Sequence, residues 1–329
     1  PGLRIGSEWS EWPIRGNFAG SLRLSTFLEM WAAAEAARVN AGVSSVRASS
    51  RRLPALSVML LTFACGNVVN AADSGTAVRA YLESVAGNEQ TGIDWTFGQP
   101  FRSGEVRADS TLHATLDDGS RIGAQLDVKS TYPDGSVRFG VVTVRVARLK
   151  ARSRSTLVLR PVESELDTTV VVPQDLLNTE FEFETTITVE GQTYRVSARE
   201  LLLAGPLKSW LRGELVSEWL VGGPLVDEDG QQHPHLALYY HIRAYSGSPM
   251  RRARVDVIVE NGWARVAAPR NFTYDVKIRV GTETKFEQSG LTHYQHARWH
   301  RTLWWGEEPK VRVTHDPVYL QATKASPRY

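Results

Sequence analysis

The sequence predicts a mostly β chain, with a small β-barrel followed by a larger antiparallel β-sandwich. Three observations predict it. From Thr91 onward, short runs rich in Val, Ile, Thr and Tyr alternate apolar with polar residues, the text of half-buried strands. Between the runs stand Asp118-Gly119, Asp134-Gly135, Glu190-Gly191, Asp229-Gly230 and Asn261-Gly262, dipeptides whose glycine accepts the positive φ of a tight reversal. No long amphipathic helix follows Gln90, and no repeat of fixed period is visible.

The chain opens Pro-Gly-Leu without an initiator Met, and residues 1–50 show little periodicity beyond a short run at 30–39. Arg47, Arg51 and Arg52 then precede an apolar stretch at 53–65 and the small-residue segment Gly66-Asn67-Val68-Val69-Asn70-Ala71-Ala72. A basic flank, an apolar core of about 13 residues and an A-x-A-like site make a secretory signal, too short to span a bilayer comfortably. The alternative is a buried helix with a basic flank. Phe63 is bulky where a lipoprotein box wants a small residue, which argues against lipidation. Residues 1–72 are expected to be an untranslated or signal-peptide region, 73–90 a linker, and the product secreted or periplasmic, with no stable membrane span.

Strands are expected at 112–116, 124–129, 137–146, 155–159, 181–189, 193–203, 237–245, 252–260 and 274–280. In 252–260 the alternation puts Ala253, Val255, Val257 and Val259 on one face. In 137–146 the buried face begins with Val137, Phe139 and Val141 and passes to Val142, Val144 and Val146, as a bulge near Gly140 would produce. The strand rhythm lapses at 161–167, which divides a barrel at 91–163 from a sandwich at 164–329.

Composition narrows the function. Lys+Arg 38 against Asp+Glu 36 gives a net charge of +2, too balanced for a protein that neutralises phosphates along a duplex, so no nucleic-acid partner is expected. The one cysteine, Cys65, makes neither an internal disulfide nor a Cys-based zinc site. No G-x-S-x-G, P-loop or G-x-G-x-x-G occurs, which removes common hydrolase and nucleotide signatures. No cofactor is called for.

One ordered set of short motifs goes further. Trp95-Thr96-Phe97-Gly98-Gln99-Pro100-Phe101-Arg102-Ser103-Gly104-Glu105-Val106 is followed by Leu116-Asp117-Asp118-Gly119, then Ala124-Gln125-Leu126-Asp127-Val128, then Tyr132-Pro133-Asp134-Gly135-Ser136-Val137-Arg138-Phe139. This order resembles the N-terminal RIFT-type barrel of the rhamnogalacturonan exolyase and YetA-like family. Ala204-Gly205-Pro206-Leu207-Lys208 and residues 240–248 resemble the β-sandwich that follows it. The resemblance covers about 91–260 and implies a polysaccharide lyase-like enzyme, a polysaccharide partner that is acidic in the lyase reading, and a large helical toroid after the β domains. The sequence ends without toroid text, so it is expected to be an N-terminal fragment missing a C-terminal domain. The alternative is a non-enzymatic carbohydrate-binding or surface module, for example on a phage particle.

Catalytic residues are not identified by the sequence. The densest polar-aromatic run spans 292–306 and supplies the substrate-binding candidates Tyr294, His296, Arg298, Trp299, His300, Arg301, Trp304 and Trp305. A lyase needs a cation near a uronate carboxylate and a His or Tyr to take the neighbouring proton, and indoles can stack on sugar rings. Read as a strand, the run puts Tyr294, His296, Arg298 and His300 on one face; read as a helix, His293, His296 and His300 share one. The structural alternative is that the rings fill a seam between domains. A metal on the three histidines is disfavoured, because no carboxylate lies in the run. His233-Pro234-His235 is expected in an exposed loop. His241 and Arg243, with Tyr239 and Tyr245, are expected on one polar strand face. Asp134 is expected to be a turn former.

Overall fold

The computed structural model describes residues 78–163, 169–247, 250–262 and 267–325; the expected leader at 1–72 and most of the expected join lie outside them. Strands account for 61 % and helices for 8 % of the described residues, so the fold is the mostly β one that the turns and alternation imply. A positive φ is found at Gly119, Gly135, Gly191 and Gly230, four of the five glycines marked as reversals. At the fifth pair, Asn261 is buried and its side-chain amide donates to the Arg270 carbonyl at 2.9 Å.

The barrel is a seven-stranded antiparallel sheet built from β1 (Val78–Ser84), β2 (Gln90–Pro100), β3 (Ser110–Thr115), β4 (Arg121–Thr131), β5 (Val137–Leu149), β6 (Arg154–Glu163) and β16 (Val311–His315). Its order is β16-β1-β6-β3-β4-β5-β2, and side chains carry it across the remaining gap between β16 and β2. The Gln90 amide accepts from the Lys310 N–H at 2.8 Å and donates to its carbonyl at 3.1 Å. The His315 Nε2–H donates to the Gly98 carbonyl at 3.0 Å. Val78, Ala80, Leu82, Phe97, Val142, Val144, Leu157 and Leu159 fill the interior. The parity change in β5 is present: pairing with β4 slips between Val128 and Ser130 and again before Thr131, opposite Gly140, Phe139 and Val137. Val141 consequently turns away from the barrel core and enters the seam with the sandwich.

The sandwich stacks two antiparallel sheets. A four-stranded sheet runs β14 (Glu283–His293), β13 (Phe272–Val280), β7 (Phe183–Val189), β8 (Gln192–Ser197). A five-stranded sheet runs β15 (Arg298–Trp305), β12 (Ala253–Glu260), β11 (Gln232–Tyr245), β10 (Val216–Val226), β9 (Lys208–Arg212). Their facing sides share one apolar core that includes Phe181, Phe183, Ile187, Trp219, Tyr240, Val255, Val257, Tyr274 and Ile278. Two short helices, α1 (Pro173–Leu177) and α2 (Ala198–Ala204), accompany it, and α3 (Pro317–Ala322) follows β16.

Three boundaries differ from the sequence-based division. The stretch expected as a linker carries β1, whose alternating burial places Val78, Ala80 and Leu82 inside the barrel. The run at 193–203, expected as one strand, changes at Ser197, whose hydroxyl caps α2 by accepting from the Glu200 N–H at 3.2 Å. The C-terminal segment, expected in the sandwich, returns to the barrel: β16 pairs with β1, and the buried Tyr319 of α3 joins the barrel core.

Barrel and sandwich meet along a ladder of side chains on one face of β4. The Gln125 oxygen accepts from the N–H groups of Leu215 and Val216, each at 3.0 Å, and its nitrogen donates to the Val216 carbonyl at 3.0 Å. Asp127 accepts from the Arg212 N–H at 2.8 Å, and Lys129 donates to the Trp210 carbonyl. Successive same-face residues of β4 thus reach successively earlier backbone groups, as an antiparallel neighbour would, but with side chains in place of main chain. Val141, Leu211, Val216 and Tyr245 form the apolar part of the seam.

Candidate functional site

The outer face of the five-stranded sheet gathers charged and polar side chains from four strands, and alternation decides which of them reach it. Ala253, Val255, Val257 and Val259 point into the core, so Arg254, Asp256, Ile258 and Glu260 point outward. Register carries that parity to the neighbours. Tyr239, His241 and Arg243 of β11 stand opposite Ile258, Asp256 and Arg254. Arg298, His300, Thr302 and Trp304 of β15 stand opposite Glu260, Ile258, Asp256 and Arg254. Glu218 and Leu220 of β10 stand opposite Arg243 and His241.

Charge on this face is matched locally. Glu218 is only 3 % exposed, yet Arg243 Nε donates to it at 2.5 Å and His241 Nδ1 lies 3.4 Å from its other oxygen. Burial pushes the Glu218 pKa up, but the Arg243 charge and the hydrogen bonds from His241 and Arg243 outweigh it and hold the pKa to about 2. Asp256 accepts from Arg254 at 3.0 Å and from the Thr302 hydroxyl. A carboxylate locked in its charged form is no proton donor near neutrality. The face can offer hydrogen bonds, imidazole edges and a phenol; it does not present a poised carboxylic acid in Glu218.

Of the eight candidates from the 292–306 run, the six that lie on β15 divide between its two sides. Arg298 and His300 lie exposed on the outer face, Arg298 paired with Glu260. Trp304, on the same side, stacks on Tyr245 with centroids 5.9 Å apart and planes 11° from parallel, within the seam to the barrel. Trp299 and Trp305 turn inward and pack on the sandwich core, Trp305 edge-on to Phe181 at 5.7 Å. Arg301 lies over the Phe286 ring at 4.2 Å. Tyr294 and His296 precede the strand in an exposed turn, His296 at φ 59°. The structure therefore brings Arg298 and His300 together with Tyr239, His241 and Asp256, and separates them from Trp299, Arg301 and Trp305.

The helical alternative for the three histidines does not form, because a turn separates β14 from β15. His293 is buried, and its Nε2–H donates to the Ala297 carbonyl at 3.0 Å, which leaves Nδ1 to accept from the Tyr274 hydroxyl at 2.9 Å. That hydroxyl in turn accepts from the Trp299 indole N–H at 2.5 Å. This relay ties core aromatics together. Burial lowers the His293 pKa. Among the described residues, no group of three His, Cys, Asp or Glu side chains could hold a metal ion, and no helix is long and apolar enough to cross a membrane.

His233 and His235, expected in an exposed loop, are buried at 7 % and 6 % exposure. The physical reason is local: His233 Nδ1 accepts from the N–H groups of His235 and Leu236 at 3.1 and 2.9 Å, and both rings pack on Phe272. Burial first, and His235 second, lower the His233 pKa to about 4. Asp134 is a turn former, accepting from the Ser136 N–H at 2.9 Å and from the Ser103 and Ser136 hydroxyls at 2.5 Å. Glu218, Arg254 and Asp256 were not singled out from sequence. The alternation of 252–260 held the signal for the last two, since its polar parity is the outer face.

Residues 78–158 match the family model of the PcRGLX-like N-terminal RIFT barrel domain. No curated protein matches the chain. A solved structure of a protein in the glycosyl hydrolase family 38 from Enterococcus faecalis aligns with 76 % of this chain and 46 % of its own, at 10 % identity and TM-score 0.35. An alpha-mannosidase from Enterococcus faecalis V583 aligns with 76 % of this chain and 45 % of its own, at 9 % identity and TM-score 0.33. This chain spans less than half the length of either.

Proposed function

We propose that the chain forms the β-domain portion of a secreted polysaccharide-degrading enzyme of the rhamnogalacturonan lyase-like kind, with the outer face of the five-stranded sheet as its sugar-contacting surface. The match of residues 78–158 to the RIFT barrel domain carries the enzyme class. The convergence of Tyr239, His241, Asp256, Arg298 and His300 on one open face supports the surface. In this reading the β domains bind and orient polymer while chemistry is performed by a helical domain.

A second reading, a carbohydrate-binding module without chemistry of its own, is favoured by one observation: Glu218 is already matched to Arg243 and held ionised. Both readings expect weak binding and no cleavage by these residues alone. Growth of unsaturated-product absorbance on incubation with pectic polymers would refute that expectation. The surface itself is tested with Arg298→Ala and His300→Ala. Lost retention on an immobilised pectic polymer at unchanged melting temperature supports the sugar-contacting face, whereas lower melting at unchanged retention assigns the pair to structure.

A further inference from the structure

At the β9 edge of the same sheet, Trp210 is 42 % exposed. It occupies the bulge where β9 slips against β10, between Ser209, paired with Trp219, and Leu211, paired with Glu218. Leu211 is fully buried, and Trp210 projects where an indole gains little from folding. Two ammonium groups attend the ring: Lys129 Nζ lies 4.3 Å from its centroid and Lys208 Nζ 5.7 Å from it. The neighbouring carboxylates are committed elsewhere. Asp127 accepts from Arg212 N–H and from Gln125, and Glu218 is bonded to Arg243. Among the described residues, no carboxylate pairs with Lys208. Lys129, Lys208 and Arg243 thus outnumber Asp127 and Glu218 around Lys129, and the corner is net positive.

We propose that this corner is a docking subsite for a sugar ring that carries a carboxylate, an inference that rests on the polysaccharide-handling reading above. The apolar face of the ring packs on the Trp210 indole and displaces Lys208 from its loose position beside it. The carboxylate then pairs with the Lys208 ammonium, while Lys129 stays fixed by its bond to the Trp210 carbonyl. Five strands at about 4.8 Å spacing separate this edge from β15 by about 19 Å, so one sugar reaches one edge and a polymer can engage both. Affinity should therefore rise steeply from monomer to polymer.

The test is affinity electrophoresis of the chain through gels containing polygalacturonate, dextran or dextran sulfate, with free galacturonate as competitor. Polygalacturonate should retard the chain, dextran should not, and the monomer should compete weakly. Trp210→Ala and Lys208→Gln should each weaken binding to polygalacturonate by about tenfold, and Trp210→Tyr should retain most of it. A retarded wild type whose Trp210 and Lys208 variants bind equally well overturns this subsite and leaves the proposed function standing. Loss in Lys208→Gln for both polyanions, with no loss in Trp210→Ala, shows plain charge attraction and also overturns it. A wild type unretarded in every gel overturns subsite and function together. If Trp210→Ala melts early, the exposed Lys208→Gln variant decides.

Discussion

Gly213 lies so close to the Gln125 amide that a Cβ built on it would stand 2.2 Å from Gln125 Cδ. Only a residue without a side chain lets the barrel amide sit against the β9–β10 connection. Gly213→Ala is expected to expel the amide and leave the Leu215 and Val216 N–H groups without their acceptor, at about 1–3 kcal/mol for each buried group. Gln125→Leu should cost a similar amount, and the double variant less than the sum, since both remove one interaction. Urea unfolding of the three variants checks this; a Gly213→Ala chain as stable as wild type would falsify the seam described here.

Acid should weaken the fold in two stages. The His233 pKa of about 4 in the folded chain lies below the ordinary unfolded value of about 6.5, so the unfolded chain binds the extra proton. The stabilisation is complete above pH ~6.5 and is lost as pH falls toward 4, on the order of 3 kcal/mol. His293 and His315, both lowered mainly by burial, act in the same direction. Glu218, held to about 2, contributes stability that is complete above its unfolded value near 4.3 and is lost as pH falls toward 2. Urea midpoints measured from pH 7.5 to 3 should decline first through the histidine window. A flat profile between pH 7 and 4 contradicts the His233 assignment.

Removing Arg243 strands a buried carboxylate. Arg243→Met is expected to destabilise by about 3–5 kcal/mol, whereas the double change Glu218→Gln with Arg243→Met should recover much of that loss. Thermal unfolding of the single and double variants reads the difference. Equal melting of both variants would show that the pair is not coupled.

Trp299 should behave as a core residue despite its place in a polar run. Trp299→Phe removes the donor to Tyr274 and part of the packing on the core, with an expected loss of about 1–2 kcal/mol. Polymer retention, measured on the same variant, should not change. The reverse pattern would move Trp299 to the sugar surface.

Much of this architecture could be read from local chemistry. The Asp-Gly turns, the alternation of β12 and the parity change in β5 depend on neighbours within a few residues, where sequence carries the signal. α2 is hidden in the sequence because the leucines at 201–203 extend the apolar text of β8, although Ser197 followed by Glu200 has the form of a helix start. The burial of His233 and His235 is not legible locally because the burying contact, Phe272, comes from β13, far along the chain. For 292–306 the sequence gathered the right residues without their sides. The turn at 294–297 sets β15 against β12, and only that register sends Arg298 and His300 out and Trp299 and Trp305 in.

The pairing of β16 with β1 has a consequence for the order of assembly. The sandwich strands lie between the first six barrel strands and the seventh in the chain, so a nascent chain leaving the ribosome completes the sandwich while the barrel still has a free edge along β1. The domain that is synthesised first is then the last to finish. Its closure waits for Val311–His315 and joins residues 231 apart, as the Glu83–Thr314 hydrogen bond does. Contacts of such sequence separation form slowly. Loss of the final strand would therefore be felt at the opposite end of the chain, as an open barrel beside an intact sandwich.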